Sequence, residues 1–522
     1  MSDQPVKTAQ LPDNSNHRDA KDLIKGALIN YLGMIAKVSK VLFIFVVARV
    51  YGPTALGLYL LAWSVVDIAS KFGLWGIDRS LIRDIARFNS GDSEQTKAKI
   101  FGVLRFNIGI AMGLSLLVTF ALLNLSSIIA LKLFDDPKLI PPLKLLSVAL
   151  PFVVLTHTFI ATTKALRIMR YEVLIRQALE PLLLLLGTLA LIPLKLGATA
   201  IVSAHIIASS VAASSAAFVM YRKYRHLGWR SEPLPAEVKK DTIRYTSPMA
   251  MMDFLNLMVA RIDVILVGAF INVTAAGLYG IAVEIISVIK RVRQGFEPIF
   301  SPIVSELYYN KQSQRLKRNY VLVTRWLMAG SLLPVVAIVL FPGQLLGLFN
   351  EQAVQAAGVL IVLALSHGIF GSFSAAESLL LMTGKSLLNT WLAAAMLAIN
   401  VAVSLALLPK LGMIGVALGM LSAYIFISAA RLFQGYTLFK LHPFAYALLW
   451  PIATAGMTAC LFYMMGAFLN LHSSLITTVS TLILMALFYA GVYFMGAKEP
   501  EEKHIIDRFK NKLRKKPVAM LT

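Results

Sequence analysis

The sequence predicts an all-α polytopic membrane protein of about fourteen transmembrane helices. They form two parallel six-helix repeats facing a central cavity, with two extra C-terminal helices. Three observations predict it. Of 522 residues, 57% are apolar and 15% charged, against about 25% charged in an ordinary soluble domain; mean hydropathy is +0.71. Apolar runs of about 20 residues recur along nearly the whole chain, the length of helix that crosses about 30 Å of hydrocarbon. Two short segments recur, in the same order, in the two halves of the sequence.

The spans are expected near 26–49, 54–76, 101–127, 139–163, 172–194, 198–220, 245–270, 275–297, 319–345, 354–382, 387–408, 412–436, 443–468 and 473–496. Residues 1–23 are polar, lack the apolar core of a signal peptide, and read as a disordered cytoplasmic tail. Spans one to six make an N-terminal bundle over 24–220, and 221–244 is a basic cytoplasmic linker. Spans seven to twelve make a C-terminal bundle over 245–440. The last two spans, within 441–497, stand outside the repeat. The segment 498–522 is basic and amphipathic, with Ile505, Ile506, Phe509 and Leu513 among its cations, and suits anionic membrane lipids.

The formal charge is +23. Lys and Arg gather after the even spans, whereas the loops after the odd spans hold chiefly Lys132, Lys138, Lys195 and Lys410. That asymmetry places both termini in the cytoplasm and accounts for most of the charge without nucleic acid. The single cysteine, Cys460, excludes an intrachain disulfide.

The repeat is explicit. Thr54-Ala55-Leu56-Gly57-Leu58-Tyr59 recurs as Thr274-Ala275-Ala276-Gly277-Leu278-Tyr279, an offset of 220. Ala190-Leu191-Ile192-Pro193-Leu194-Lys195-Leu196-Gly197 recurs as Ala406-Leu407-Leu408-Pro409-Lys410-Leu411-Gly412. Parallel repeats of this kind are a transporter plan, with the substrate path between the halves.

Buried charge marks the candidate sites, because a central Lys or Arg costs roughly 2.5–3.5 kcal/mol in a membrane helix. In the first span Lys37 and Lys40 share a face with Asn30 and Gly33, which reads as a polar lumen; snorkelling to the interface is the alternative. In the second span Ser64, Asp67 and Lys71 share a face, and Asp67 and Lys71 are spaced to pair. At the offset of 220, Lys71 falls on Arg291. The seventh span carries Asp253, Asn256, Arg261 and Asp263, either as salt bridges to other helices or as a substrate or proton site. Glu180, Glu284 and Glu377 are further intramembrane carboxylates, and His157, His205 and His367 single histidines. Arg79, Arg83 and Arg87 form a stripe opposite Leu81, Ile85 and Phe88, as on a helix lying at the lipid surface. Gly109 with Gly113, and Gly412 with Gly415 and Gly419, read as close-packing glycines.

No enzyme motif is found. Gly384-Lys385-Ser386 has Leu379 where a phosphate loop needs glycine, and no His-Glu-x-x-His occurs. No catalytic residue, metal ligand or cofactor is expected.

The pattern Ala48-Arg49-x-x-Gly52-Pro53-x-x-x-Gly57-x-Tyr59 resembles that of the O-antigen flippases, the polysaccharide transporter branch of the multidrug/oligosaccharidyl-lipid/polysaccharide exporter superfamily. Arg261-Ile262-Asp263-Val264-Ile265-Leu266-Val267-Gly268 is similar to that family's aspartate followed by an apolar run and glycine, and Gly412-x-x-Gly415 also fits. The resemblance covers the whole chain in span count, order and loop length. It implies a flippase that moves undecaprenyl-diphosphate-linked oligosaccharide, an O-antigen or exopolysaccharide repeat unit, across a bacterial inner membrane by alternating access. Placed by helix and face, Lys37, Lys40, Lys71, Arg261 and Arg291, with Asn30, would hold the diphosphate. Asp67, Asp263 and Glu284 would couple a proton or sodium gradient. The implied partners are the lipid-linked substrate, anionic lipids and polysaccharide polymerase machinery. The rival within the superfamily is a multidrug or cation antiporter, whose cavity should be mainly carboxylate-lined. A membrane-embedded polymerase or ligase needs a large periplasmic loop, and no odd-numbered loop is long enough.

Overall fold

The computed structural model describes residues 38–88, 94–227, 234–469 and 475–496. Asn30 and Lys37 lie outside the described residues, as do 1–23 and 498–522. Among the described residues every regular element is helical, as expected where no water is present to satisfy an open backbone. Among the described residues twelve helices are long and apolar enough to cross a bilayer. The expected fourteen differ from these at two places. The first two expected spans are counted together in one stretch, Val38–Phe88, whose helix is interrupted at Gly52 (φ 83) and at Trp75 and Gly76. The seventh lies in a helix, Ala236–Phe270, whose Asp253, Arg261 and Asp263 keep its apolar character low.

The chain falls into two compact units. The first gathers the described residues up to Val47 together with Val65–Ala130 and Pro137–Phe254. It contains α1 (Val38–Val46) and the second part of α2 (Gly52–Leu74). Next come α3 (Ile77–Phe88), α4 (Glu94–Ile128), α5 (Ile140–Ser147) and α6 (Leu150–Ala165). It ends with α7 (Arg170–Ala190), α8 (Ala198–Tyr224) and the first half of α9 (Ala236–Phe270). On α8 the buried Ala204, Ala208, Ala212 and Ala216 repeat every fourth residue. That small-residue stripe lets α6 and α7 approach closely, as helices in lipid require.

The arginine stripe on α3 differs from expectation. Leu81 and Ile85 are fully buried, and α3 packs against α4 and α6 instead of resting on lipid. Its arginines reach α9: Arg83 bonds Asp84 (2.8 Å) and pairs with Asp241 (3.1 Å), and its guanidinium stacks on Tyr245. Partners some 160 residues away in the chain take this face, which an isolated amphipathic segment cannot reveal.

The second unit gathers Ala48–Ser64, Leu131–Asp136 and the chain from Leu255. It holds the start of α2, the end of α9, α10 (Val273–Tyr309), α11 (Ser313–Leu340) and α12 (Pro342–Phe349). After these come α13 (Ala357–Ser372), α14 (Ala375–Met382), α15 (Ser386–Leu411) and α16 (Met413–Phe439). The last two are α17 (Leu449–Leu469) and α18 (Leu475–Met495).

Within this unit the repeated segments touch one another reciprocally. The Thr54 and Thr274 hydroxyls are 2.8 Å apart. A Cβ added to Gly57 would run into the Val273 carbonyl, and one added to Gly277 into the Pro53 carbonyl; Gly280 accommodates Leu60. Thr54–Thr274 and Leu60–Gly280 are each their own image under the offset of 220, and Gly57–Val273 and Gly277–Pro53 are images of each other, the signature of a two-fold contact between like segments. Only glycine permits it. The second repeated segment is matched in backbone conformation. Gly197 has φ 58, ψ −136 at the start of α8, and Gly412 has φ 55, ψ −132 at the start of α16. Arg49 of the flanking motif points at the last carbonyls of α12, 3.5 Å from both Gly347 and Leu348, where the helix dipole favours a cation.

The expected glycine contacts divide. Gly415 and Gly419 do pack closely, against the Leu407 and Asn400 carbonyls of α15. Gly109, Gly113 and also Gly412 have no atom within 4 Å of an added Cβ, so among the described residues no helix closes on them.

Candidate functional site

Each unit contains a polar cavity of its own. In the first unit α2 stops at Trp75 and Gly76, both with positive φ (42 and 71). The turn lets α9 approach: a Cβ on Gly76 would be 2.7 Å from the Thr246 carbonyl, and Phe72 packs on Phe254. Lys71, Asp78, Arg79, His157, Lys164, Arg176 and Asp253 then line a cavity of about 170 Å³. Arg79 donates twice to Asp253, from Nε (3.2 Å) and Nη2 (2.7 Å). Lys164 and Arg176 share Glu172, at 2.6 and 3.3 Å. Asp78 Oδ1 is buried without a hydrogen-bond partner. Four cations thus meet two carboxylates on the cavity wall. Such a wall can compensate an anion, whose charge in turn offsets the cost of burying the cations.

The cavity of the second unit is larger, about 440 Å³, and its lining includes Asp263, Lys290, Arg293, Glu297, Glu377 and Arg431. Three cations meet three carboxylates. Glu377 accepts from Arg431 Nη1 and pairs with Arg293 Nη2, both at 3.0 Å. Arg431 Nε donates to Asn389 (3.0 Å), and both guanidiniums lie over Phe370. Asp263, on α9, is buried and accepts from two neutral donors, Tyr279 Oη (3.0 Å) and Asn400 Nδ2 (2.8 Å).

Of the residues expected at a site, Lys71 lines the first cavity and Asp263 the second. Lys40 is exposed on α1, Asp67 half-buried on α2, Arg261 half-buried on α9, and Glu284 buried on α10. Arg291 is half-buried and is not among the residues lining the second cavity; its neighbours Lys290 and Arg293 are. Asp253 takes the salt-bridge alternative. Sequence reasoning missed Asp78, Arg176, Asn389 and Tyr424 as wall residues, and Asn400 as a partner of Asp263. The spacing of Glu172 and Arg176, four apart on α7, is the one local signal that points to any of them.

A multi-pass helical membrane protein with an internal repeat and ionisable groups inside its bundles has the architecture of a secondary transporter. The chain belongs to the polysaccharide biosynthesis protein family, whose model matches residues 46–348. No curated protein is matched by the sequence. Among solved structures, the lipid II flippase MurJ in an inward closed conformation is similar over 90% of this chain and 99% of that chain. Its TM-score is 0.70 at 14% identity. An inward-facing multidrug resistance MATE family transporter of the MOP superfamily is similar over 78% of this chain and 94% of that one, with TM-score 0.63 and 16% identity. A MOP superfamily transporter from Pyrococcus furiosus is similar over 79% and 94%, with TM-score 0.55 and 14% identity. Likeness at these identities shows a shared fold.

Proposed function

We propose that this protein moves a diphosphate-linked lipid oligosaccharide from the cytoplasmic to the outer leaflet of a bacterial inner membrane, by alternating access. The observation that carries the reading is the excess of cations over carboxylates on the wall of the first cavity. A lipid diphosphate brings at least two negative charges into a low-dielectric path, and fixed cations compensate both its desolvation and their own. Lys37, Lys40, Lys71, Arg261 and Arg291, with Asn30, are the proposed substrate contacts. The sugar end would pass to polysaccharide polymerase machinery outside, and both termini would face the cytoplasm.

Coupling to an ion gradient is assigned to Asp263, with Asp67 and Glu284 as further candidates. Both Asp263 oxygens accept from neutral donors, an environment that leaves a carboxylate able to exchange a proton or sodium ion. Export of cationic drugs is less well supported. Glu377 is committed to two arginines, and Arg293 is also within 3.5 Å of Glu297, so the acidic groups there are largely neutralised.

The test is export of surface glycan from cells lacking the native gene. Lys37→Ala/Lys40→Ala should abolish export while the protein still inserts, and lipid-linked oligosaccharide should accumulate facing the cytoplasm. Normal export from the double variant sinks the anion reading. In sealed vesicles Asp263→Asn should uncouple flipping from the ion gradient; an unchanged gradient dependence removes Asp263 from that role.

A further inference from the structure

A third cavity, which shares no lining residue with the other two, lies in the second unit where α17 and α18 pack on α11. The three helices share a core that includes Ala329, Phe462, Met485 and Tyr493, and Tyr489 donates to the Ala329 carbonyl (2.9 Å). At one end of that core Lys317, Arg318, Val321, Leu322, Arg325 and Ala447 line a cavity of about 300 Å³. Residues 317, 318, 321, 322 and 325 fall on one face of α11. Lys317 and Arg318 are exposed, whereas Arg325, eight residues or ~12 Å deeper, is 3% exposed and lies over the Tyr493 ring at 5.7 Å.

Among the described residues that line the cavity, the charge is one-sided. Neither α11, α17 nor α18 contains an Asp or Glu. The cavity also has a membrane-interface signature. Tyr446, beside Ala447, is 93% exposed, and Trp450 on the next turn donates its indole N–H to the Tyr493 carbonyl; such aromatics mark headgroup depth. Below them Leu449 and Ile452 of α17 are exposed and apolar, a surface for an acyl chain.

We infer that this cavity binds the phosphate of an anionic membrane lipid, held by Lys317 and Arg318 at the rim and Arg325 at the floor, with the acyl chains along α17. The site ties α17 and α18, which lie outside the repeat, to the bundle through a lipid as well as through side chains. It is separate from the proposed substrate contacts, so its failure leaves that reading standing.

Native mass spectrometry of the full chain tests it, with phosphatidylglycerol, phosphatidylcholine and inorganic phosphate as probes. One cation near an anionic surface is worth about a fivefold change in binding. Wild type should retain phosphatidylglycerol in preference to phosphatidylcholine, and Arg325→Gln should lower that retention about fivefold or more. Because the buried change can unsettle the helix packing, Lys317→Gln/Arg318→Gln, both exposed, carries the test independently and should lower retention in the same direction. Lys132→Gln, far along the chain, should leave it unchanged. Equal retention of the two lipids, or indifference to the exposed double substitution, overturns the proposal. Retention of inorganic phosphate without a lipid preference reassigns the cavity to a free anion and overturns the lipid assignment.

Discussion

The two polar cavities are built from similar materials to different balance. In the first unit four cations face two carboxylates in about 170 Å³; in the second, three face three in about 440 Å³. The difference in pairing is sharper than the difference in number. Glu377 sits between Arg293 and Arg431, and Arg431 is also tied to Asn389. That network closes on itself and needs no ligand. In the first unit Asp253 is taken by Arg79, and Glu172 is divided between Lys164 and Arg176, while Lys71 joins the wall beside them. Two halves that repeat in backbone have thus come to differ in charge: one is self-compensated, the other is left with cationic excess for something else to balance.

The largest effect expected from that contrast is on stability in the second unit. Arg431→Met takes a buried donor from Asn389 and one of two cations from Glu377, which keeps Arg293, and leaving buried polar groups short of a partner costs about 1–3 kcal/mol. Arg176→Met in the first unit leaves Glu172 with Lys164 and should cost far less. Thermal unfolding of the purified protein in detergent checks both; equal losses would mean that the two networks are equally closed.

Next comes transport. Lys71→Ala should lower glycan export by about tenfold or more, a loss of ~1.4 kcal/mol of substrate stabilisation, with unfolding little changed. Lys290→Ala, on the balanced wall, should lower it less. Similar losses from both would erase the distinction between an anion-compensating wall and a structural one.

Much of the architecture is legible in the sequence because it rests on patterns that need no partner. Apolar run length locates the spans, and the reciprocal glycines at 57 and 277 can be read because both members of the contact are written in the chain. The sites are legible only in part. Lys71 and Asp263 stand out as charges within apolar runs. Arg431 and Lys164 do not, since counting cations toward the cytoplasmic side absorbs them, while their partners Glu377 and Glu172 sit on other helices. The offset of 220 points to Arg291 as the image of Lys71, yet Lys290 and Arg293 line the cavity. One residue turns a helix face by about 100°, so a correspondence that is right in register can still be wrong in direction. Gly109 and Gly113 fail for a related reason: small-residue spacing permits close approach without naming the helix that approaches. Of the two residues that hold Asp263, Tyr279 stands out only as the end of a repeated segment, and Asn400 carries no local signal at all.

The smallest effect is also the most discriminating. Asp253→Asn deletes the carboxylate that Arg79 grips. Arg79 is 44% exposed, so water replaces much of what is lost, and the cost in stability should be no more than about 1 kcal/mol. The amide oxygen still accepts one of the two guanidinium bonds, which keeps α3 and α9 in place. What changes is the field: one negative charge leaves a wall that already carries more positive than negative charge. If the cavity serves only to hold the helices together, transport should fall slightly or not move. If it compensates an anionic substrate, removing a carboxylate strengthens the attraction, and the lipid concentration for half-maximal flipping should decrease by about twofold, an effect that added salt weakens. A half-maximal concentration that rises instead would mean that Asp253 holds Arg79 in the orientation the substrate needs, and the count of charges on the wall would matter less than their positions.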